Sequence, residues 1–304
     1  MRGESILKND AIVNSKKKHS KTTSKYVYLL ALIPFAIVVC LYELIPLIML
    51  VIDSFGVDGD ASVLFSLENY KKIFTSLAYQ KSITNSLKIT TVSTLVGIFL
   101  AFLGAQAAHN SRGKVRSAFM AVLNMTSNFA GVPLAFAYMI LLGNLGIITQ
   151  LANLYGIEFI QNFDLYSSQG LILTYIYFQI PLSTLLLIPA FDGIRKEWQE
   201  ANMLLGGRGI TFWIRVGIPV LIPSIFGTIS VLFANALCAY ATAYALLMNN
   251  FNLIPVNISA LFVGDIVLKP KLGAALSVVM IVIMCAVILL DNFIVKKTTR
   301  WKTR

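Results

Sequence analysis

Six long apolar runs constrain the fold of this chain more than any other feature. They lie near residues 27–52, 86–108, 117–142, 169–190, 217–248 and 272–295. Each is long enough to cross the roughly 30 Å hydrocarbon layer of a bilayer as a helix. Only helices and closed barrels satisfy every backbone hydrogen bond in lipid, and runs of this length are typical of helices. We therefore predict an all-α polytopic membrane protein with six transmembrane helices, in which part of the long fifth run lies outside the bilayer.

The composition agrees with a membrane protein. Charged residues make up 13% of the chain, and its mean hydropathy is +0.75. A soluble domain carries about 25% charged residues. A net charge of +11 would suggest nucleic acid for a soluble protein, but here the basic residues gather at span ends, so we expect no nucleic-acid partner. The three cysteines (Cys40, Cys238, Cys285) lie inside apolar runs without paired spacing, which favours neither a disulfide nor a metal site.

The distribution of basic residues predicts the orientation. Lys and Arg concentrate in the N-terminal tail, in the second-to-third and fourth-to-fifth connections, and in the C-terminal tail. With six spans all four segments lie on one side, which the positive-inside rule makes cytoplasmic. We thus predict a cytoplasmic basic tail over residues 1–26, a six-helix transmembrane domain over 27–296, and a cytoplasmic tail over 297–304. Because the first apolar run is too long for a signal peptide, we expect it to be a span of a cell-membrane protein.

The longest polar interruption of the second half, residues 191–216, has the pattern of a short helix. Its apolar residues fall on one face, at Ile194, Trp198, Ala201 and Leu205. Asp192 is a candidate N-cap, Gly206 and Gly207 are candidate stops, and Lys196 and Glu200 are spaced for a weak ion pair. The pattern fits an interfacial amphipathic helix and a partner-docking helix equally well.

This segment resembles the loop signature of the permease subunits of binding-protein-dependent ABC importers. The signature runs Glu-Ala-Ala, three residues, Gly, and then a hydrophobic stretch with a Leu-Pro-like step. Glu200, Ala201 and Gly206 match it, whereas Asn202 stands where alanine is usual and Gly207 where alanine is common. The downstream part of the match is Val216, Pro219 and Pro223. The resemblance covers nearly the whole chain and is strongest to permeases of the spermidine/putrescine type.

The resemblance implies a type I ABC importer permease fold with a coupling helix that docks on a cytosolic ABC ATPase dimer. The coupling residues would be Glu200, Ala201 and Gly206, with Arg195 and Arg208 as weaker candidates. Other implied partners are a second, related permease subunit and an extracytoplasmic solute-binding protein. We expect no cofactor in this chain and ATP in the partner ATPase, because the sequence has no G-x-x-x-x-G-K-[ST] phosphate loop. The cargo would be a small polar solute such as a polyamine, a phosphonate or iron.

Polar residues inside the apolar runs are candidates for a translocation path, because they are costly against lipid. They are Asn124, Ser127 and Asn128 in the third run, Tyr177 and Gln179 in the fourth, and Asn235, Tyr240 and Tyr244 in the fifth. For each of them an interhelical hydrogen bond is the alternative role.

Two other classes of protein remain as alternatives. A membrane enzyme would need a nucleophile with a base or a metal cluster, but the only histidines are His19 and His109, and Asp291 has no obvious partner. An ion-coupled secondary transporter would show inverted repeats or intramembrane ionisable residues, and neither is clear in the sequence.

Overall fold

The computed structural model describes residues 32–59, 65–248, 251–263 and 268–299, and the regular elements in these ranges are helices. The predicted basic tail 1–26 and residues 300–304 of the C-terminal tail lie outside the described residues. In chain order the helices are α1 (Leu32–Ser54), α2 (Glu68–Thr75), α3 (Leu77–Asn110), α4 (Gly113–Ser127), α5 (Val132–Leu142), α6 (Ile147–Tyr155), α7 (Glu158–Gln161), α8 (Ser168–Asp192), α9 (Lys196–Leu204), α10 (Gly209–Leu237), α11 (Tyr240–Leu247), α12 (Ile254–Val263) and α13 (Pro270–Thr299). The chain divides into two compact units, residues 1–53 and 54–304.

Within the described ranges, six helical stretches are long and apolar enough to cross a membrane. They are α1, α3, the stretch Val132–Tyr155 that contains α5 and α6, α8, α10 and α13. The predicted all-α fold with six membrane helices is therefore confirmed. Helices α3, α8 and α13 contain the second, fourth and sixth predicted spans and extend beyond them.

The third predicted span, 117–142, is wrong in its placement. Helix α4 ends at Ser127, and α5 begins only after Gly131, which adopts a left-handed φ of +74°. Pro133 in the first turn of α5 also favours a new helix start. The N–H of Gly131 donates to the hydroxyl of Thr242 at 3.0 Å, so a distant residue satisfies the backbone at this break. The membrane-length stretch therefore continues through α6, beyond the predicted end of the span at residue 142.

The fifth predicted span, 217–248, consists of two helices. Helix α10 begins earlier, at Gly209, and ends at Leu237, while α11 is a separate short helix. At the break between them the Tyr175 hydroxyl of α8 donates to the carbonyl of Ala239 at 2.7 Å. The apolar run is continuous across this break, so composition alone could not reveal it.

The packing of α3 against α8 is the most extensive between two helices of the second unit. Small residues on α3 allow the close approach, and they include Ser93, Gly97, Ala101, Gly104, Ala105 and Ala108. A Cβ atom added at Gly97 would lie 3.1 Å from the side chain of Gln179, and one at Gly104 would lie 3.2 Å from the Thr184 hydroxyl. Association of membrane helices depends on such contacts because lipid supplies no hydrophobic driving force between them.

The last helix is fixed at its start by a loop residue far away in sequence. The carboxylate of Asp58 accepts hydrogen bonds from the N–H groups of Lys271 and Leu272, at 2.9 and 3.1 Å, in the first turn of α13. The side-chain amide of Asn69 on α2 donates to the carbonyl of Gly56 at 2.7 Å. The segment between α1 and α2 is thus fixed to two helices.

Candidate functional site

The short helix α9 lies between the membrane helices α8 and α10, where the sequence predicts the coupling helix. It begins after Arg195, an extended residue whose side chain forms no cap hydrogen bond. The predicted N-cap, Asp192, is wrong, because Asp192 is the last residue of α8. Its carboxylate instead accepts hydrogen bonds from Arg116 of α4 at 2.5 Å and from His109 Nδ1 of α3 at 3.1 Å.

The predicted stop of the helix at the two glycines is confirmed. Gly206 has a left-handed φ of +74°. The N–H of Gly207 donates to the carbonyl of Asn202 at 2.8 Å, and that of Gly206 donates to Met203 at 3.0 Å. This pair of bonds is the Schellman arrangement, which satisfies the final carbonyls of a helix and depends on a residue that accepts positive φ.

The apolar side chains of α9 are exposed rather than buried against the bundle. No residue of α9 is buried. Of the predicted apolar face only Ile194, which precedes the helix, is buried, while Trp198 is 36% exposed and Leu205 is 88% exposed. Leu204 is 90% exposed, and Met203 is also exposed. Exposed apolar side chains therefore lie at the C-terminal end of the helix, and no other described part of the chain covers them.

Both ends of α9 are attached to well-packed parts of the bundle. Ile194 belongs to a buried cluster that includes Phe191 of α8 and Phe212 of α10. Aromatic rings add to this cluster, since Phe191 lies 5.0 Å from Phe102 and 5.9 Å from Trp213 between ring centroids. A helix with free side chains and fixed ends can transmit a force applied to it into the membrane helices.

The five predicted coupling residues lie in or beside α9. Glu200, Ala201, Gly206, Arg195 and Arg208 are all exposed. Lys196 and Glu200 are spaced in the sequence for an ion pair. The ion pairs among the described residues do not include this one. These groups are thus accessible to a partner.

The predicted path residues fall into different environments. Asn124 and Ser127 of α4, and Asn128 directly after it, hydrogen-bond to backbone carbonyls of that helix. Gln179 is fully buried, and its amide donates to Ser93 of α3 at 3.1 Å, as the interhelical alternative predicts.

Tyrosines form the other group among the predicted path residues. Tyr177 packs edge-to-face on Tyr138 of α5, with ring centroids 5.9 Å apart. Tyr240 and Tyr244 stack on each other at 5.2 Å on α11, and Ser259 donates to the Tyr240 hydroxyl at 3.2 Å. Asn235 is exposed on α10.

Sequence reasoning missed several partners. Asp291, which had no obvious partner, accepts a hydrogen bond from the hydroxyl of Ser230 on α10. Asn202 donates through its side-chain amide to the carbonyl of Arg208 at 3.3 Å. The first pair is 61 residues apart, so no local pattern could indicate it. The second pair is local in sequence. The only sequence feature that could have indicated it is the asparagine at a position where the signature usually has alanine.

Comparison with known proteins finds relatives of one kind. The chain is 28% identical to the inner membrane ABC transporter permease YcjP of Escherichia coli, over 65% of this chain and 66% of that protein. It is 23% identical to a probable sulfate transport permease, cysT, of Helicosporidium, over 85% of this chain and 92% of that protein. It is 24% identical to the sulfoquinovosyl glycerol transport permease SmoH of Agrobacterium fabrum, over 77% of this chain and 76% of that protein. No protein-family model matches the chain.

A solved structure has the same fold. A chain of a bacterial ABC transporter involved in alginate import superposes with a TM-score of 0.71 at 15% identity, over 91% of this chain and 98% of that chain. The fold is that of ABC transporter permeases. The relatives that the chain resembles are thus permease proteins of transport systems, and its six membrane-length helices are those of a multi-pass membrane protein.

Proposed function

We propose that this chain is the permease subunit of an ATP-driven importer and that α9 is its coupling helix. The observation that carries the proposal is the exposed apolar surface of α9, formed by Trp198, Met203, Leu204 and Leu205 on a helix with both ends fixed. Exposed apolar groups of this kind mark a surface that a partner covers. The partner we propose is a cytosolic ABC ATPase dimer, which binds the ATP, since the sequence of this chain has no phosphate loop.

Roles for the five predicted coupling residues follow from their positions. Glu200 offers an exposed carboxylate for an ionic contact, and Ala201 permits close approach of a partner surface. Gly206 ends the helix so that the apolar tip is presented. Arg195 and Arg208 flank the helix on either side and would add weaker contacts. If α9 lies in the cytoplasm, six spans put both chain termini in the cytoplasm as well, as the distribution of basic residues in the sequence predicts.

The proposed path runs between the tyrosines of α5, α8 and α11, with a second permease subunit completing it and an external binding protein delivering the solute. The cargo we propose is a small polar solute. The relatives described above carry the names of sulfate and sulfoquinovosyl glycerol systems, so the resemblance to polyamine permeases lacks support from them. Uptake of labelled spermidine compared with labelled sulfate, in cells with and without the gene, tests the two classes directly.

Purification of the tagged full chain from its own cells in mild detergent tests the coupling role. We expect a co-purified chain with a phosphate loop and vanadate-sensitive ATP hydrolysis. Leu205→Asp should reduce the retained ATPase at least tenfold, since burial of a leucine contributes about 2 kcal/mol and 1.4 kcal/mol is a factor of about ten. Glu200→Ala should reduce it as well.

The matched control is Leu67→Asp, because Leu67 is 60% exposed just before α2 and lies outside the six membrane-length stretches. That variant should retain the ATPase as the wild type does. Full retention of the ATPase by Leu205→Asp would refute α9 as the docking helix. Solute transport by the purified chain alone, without ATP, would refute the importer and favour an ion-coupled transporter.

A further inference from the structure

The two adjacent glycines at the end of α9 are required for different physical reasons. Gly206 has a φ of +74°, and a Cβ atom added there would meet nothing within 4 Å. Its requirement is therefore conformational. The φ of Gly207 lies outside the left-handed region, so its backbone would accept an alanine. A Cβ atom at Gly207, however, would overlap the amide oxygen of Asn202 and lie 2.8 Å from its amide nitrogen.

Asn202 is hydrogen-bonded to this turn through both its backbone and its side chain. Its backbone carbonyl accepts from the N–H of Gly207 at 2.8 Å, and its side-chain amide donates to the carbonyl of Arg208 at 3.3 Å. The side chain thus crosses the turn that joins α9 to α10 and occupies the space beside Gly207. An alanine at 207 would push the amide away and break its bond to Arg208.

The same two positions are among those at which the sequence departs from the importer signature. Asn202 stands in place of the usual alanine, and Gly207 stands in place of a common alanine. The structure places the two departures in direct contact. The glycine makes room for the asparagine, and the asparagine supplies a hydrogen bond that an alanine could not.

We propose that Asn202 and Gly207 form an interdependent pair that sets the angle between the coupling helix α9 and the membrane helix α10. Asn202 is a positioning residue: it holds the connecting turn through Arg208 and does not itself contact the partner. The functional part of this inference rests on the proposed coupling role of α9. The main packing of α9 on another helix is with the first turn of α10, Gly209–Phe212, so the connecting turn controls its direction.

If the two residues depend on each other, the effect of Gly207→Ala should change from harmful to neutral or favourable when Asn202 is replaced. Independent structural roles of the two residues do not predict such a change. With Asn202 present, Gly207→Ala is harmful because the methyl group displaces the amide. With Asn202→Ala, the three atoms nearest to the new methyl group are gone and the substitution restricts a flexible turn, so we expect it to become neutral or favourable. A reversal of this kind is the mark of two coupled sites.

Spin-label distances measure the angle directly. Labels at Glu197→Cys and Ile214→Cys, in a chain with Cys40, Cys238 and Cys285 replaced by serine, report the distance between α9 and α10 in the assembled complex in liposomes. We expect Gly207→Ala to shift and broaden the distance distribution, and Asn202→Ala/Gly207→Ala to be no broader than Asn202→Ala alone. Gly209→Ala is the control, since a Cβ atom there meets nothing within 4 Å.

ATP hydrolysis by the same complexes supplies the functional readout. Gly207→Ala should lose at least half of the wild-type rate, while the double variant should match or exceed Asn202→Ala. A Gly207→Ala variant that behaves like Gly209→Ala in both measurements, or a double variant worse than both single variants, would overturn the pair. If the wild-type chain captures no ATPase, the coupling role fails, yet the label distances in the chain itself still decide whether the two residues depend on each other.

Discussion

Arg116 and Asp192 approach each other to 2.5 Å and join the first turn of α4 to the last residue of α8. His109, in the last turn of α3, contacts the other carboxylate oxygen at 3.1 Å. Three helices therefore meet at one carboxylate, at the point where the chain leaves the bundle for α9. The carboxylate fixes the base of α9, the proposed coupling helix.

Removal of this ion pair should have a small effect on stability. The two side chains are about one-third exposed, at 34% and 38%, so water screens their attraction. We expect Arg116→Ala or Asp192→Asn to lower the free energy of unfolding by about 1 kcal/mol or less. A double-mutant cycle on thermal unfolding in detergent measures the interaction. A coupling energy of about 3 kcal/mol or more would show that the pair behaves as a buried one.

Any substitution of Gly206 should disturb the end of α9, whatever the size of the new side chain, because the requirement is the positive φ and not the space. An alanine there would occupy the left-handed region at a cost of about 1–2 kcal/mol. We expect Gly206→Ala to loosen the final turn, so that amide hydrogen exchange speeds up in peptides covering residues 203–209. Gly209→Ala is the matched control, because Gly209 has open space and no positive φ. Equal exchange in the two variants would contradict the left-handed stop.

The number and type of the membrane helices were predictable from the sequence because the thickness of the bilayer demands long apolar runs. The break at Ala239 was not predictable, since the apolar character continues across it, whereas the break at Gly131 was missed although Asn128 and Pro133 stand on either side of it. Those breaks depend on Thr242 and Tyr175, which lie 111 and 64 residues away. Local composition contains no record of such partners.

The candidate site divides in the same way. The stop at Gly206 was predictable because glycine alone adopts its φ without strain. The N-cap assigned to Asp192 was wrong because the partner that holds its carboxylate, Arg116, is 76 residues away. The exposure of α9 was also beyond the sequence, since an amphipathic pattern does not indicate whether the apolar side faces the bundle, lipid or another protein.

A larger side chain at the closest contact of α3 and α8 should destabilise the bundle. A Cβ atom at Gly97 already lies 3.1 Å from Gln179, so Gly97→Leu would force the two helices apart. We expect a loss of about 1–3 kcal/mol or more, as for other overpacked cores. Gly227→Leu on α10 is the control, because a Cβ atom there meets nothing within 4 Å. Thermal unfolding in detergent compares them, and equal midpoints would contradict close packing at Gly97.

The cap that Asp58 provides to α13 should depend on its acceptor oxygens. Asp58→Ala leaves the N–H groups of Lys271 and Leu272 without this acceptor, and loss of such a cap costs about 0.5–2 kcal/mol. Asp58→Asn keeps one carbonyl oxygen, so it should retain most of the stability. Thermal unfolding, together with amide exchange in peptides that contain residues 270–275, measures both variants. If Asp58→Asn proved as damaging as Asp58→Ala, the negative charge rather than the hydrogen bonds would hold this loop to the last membrane helix.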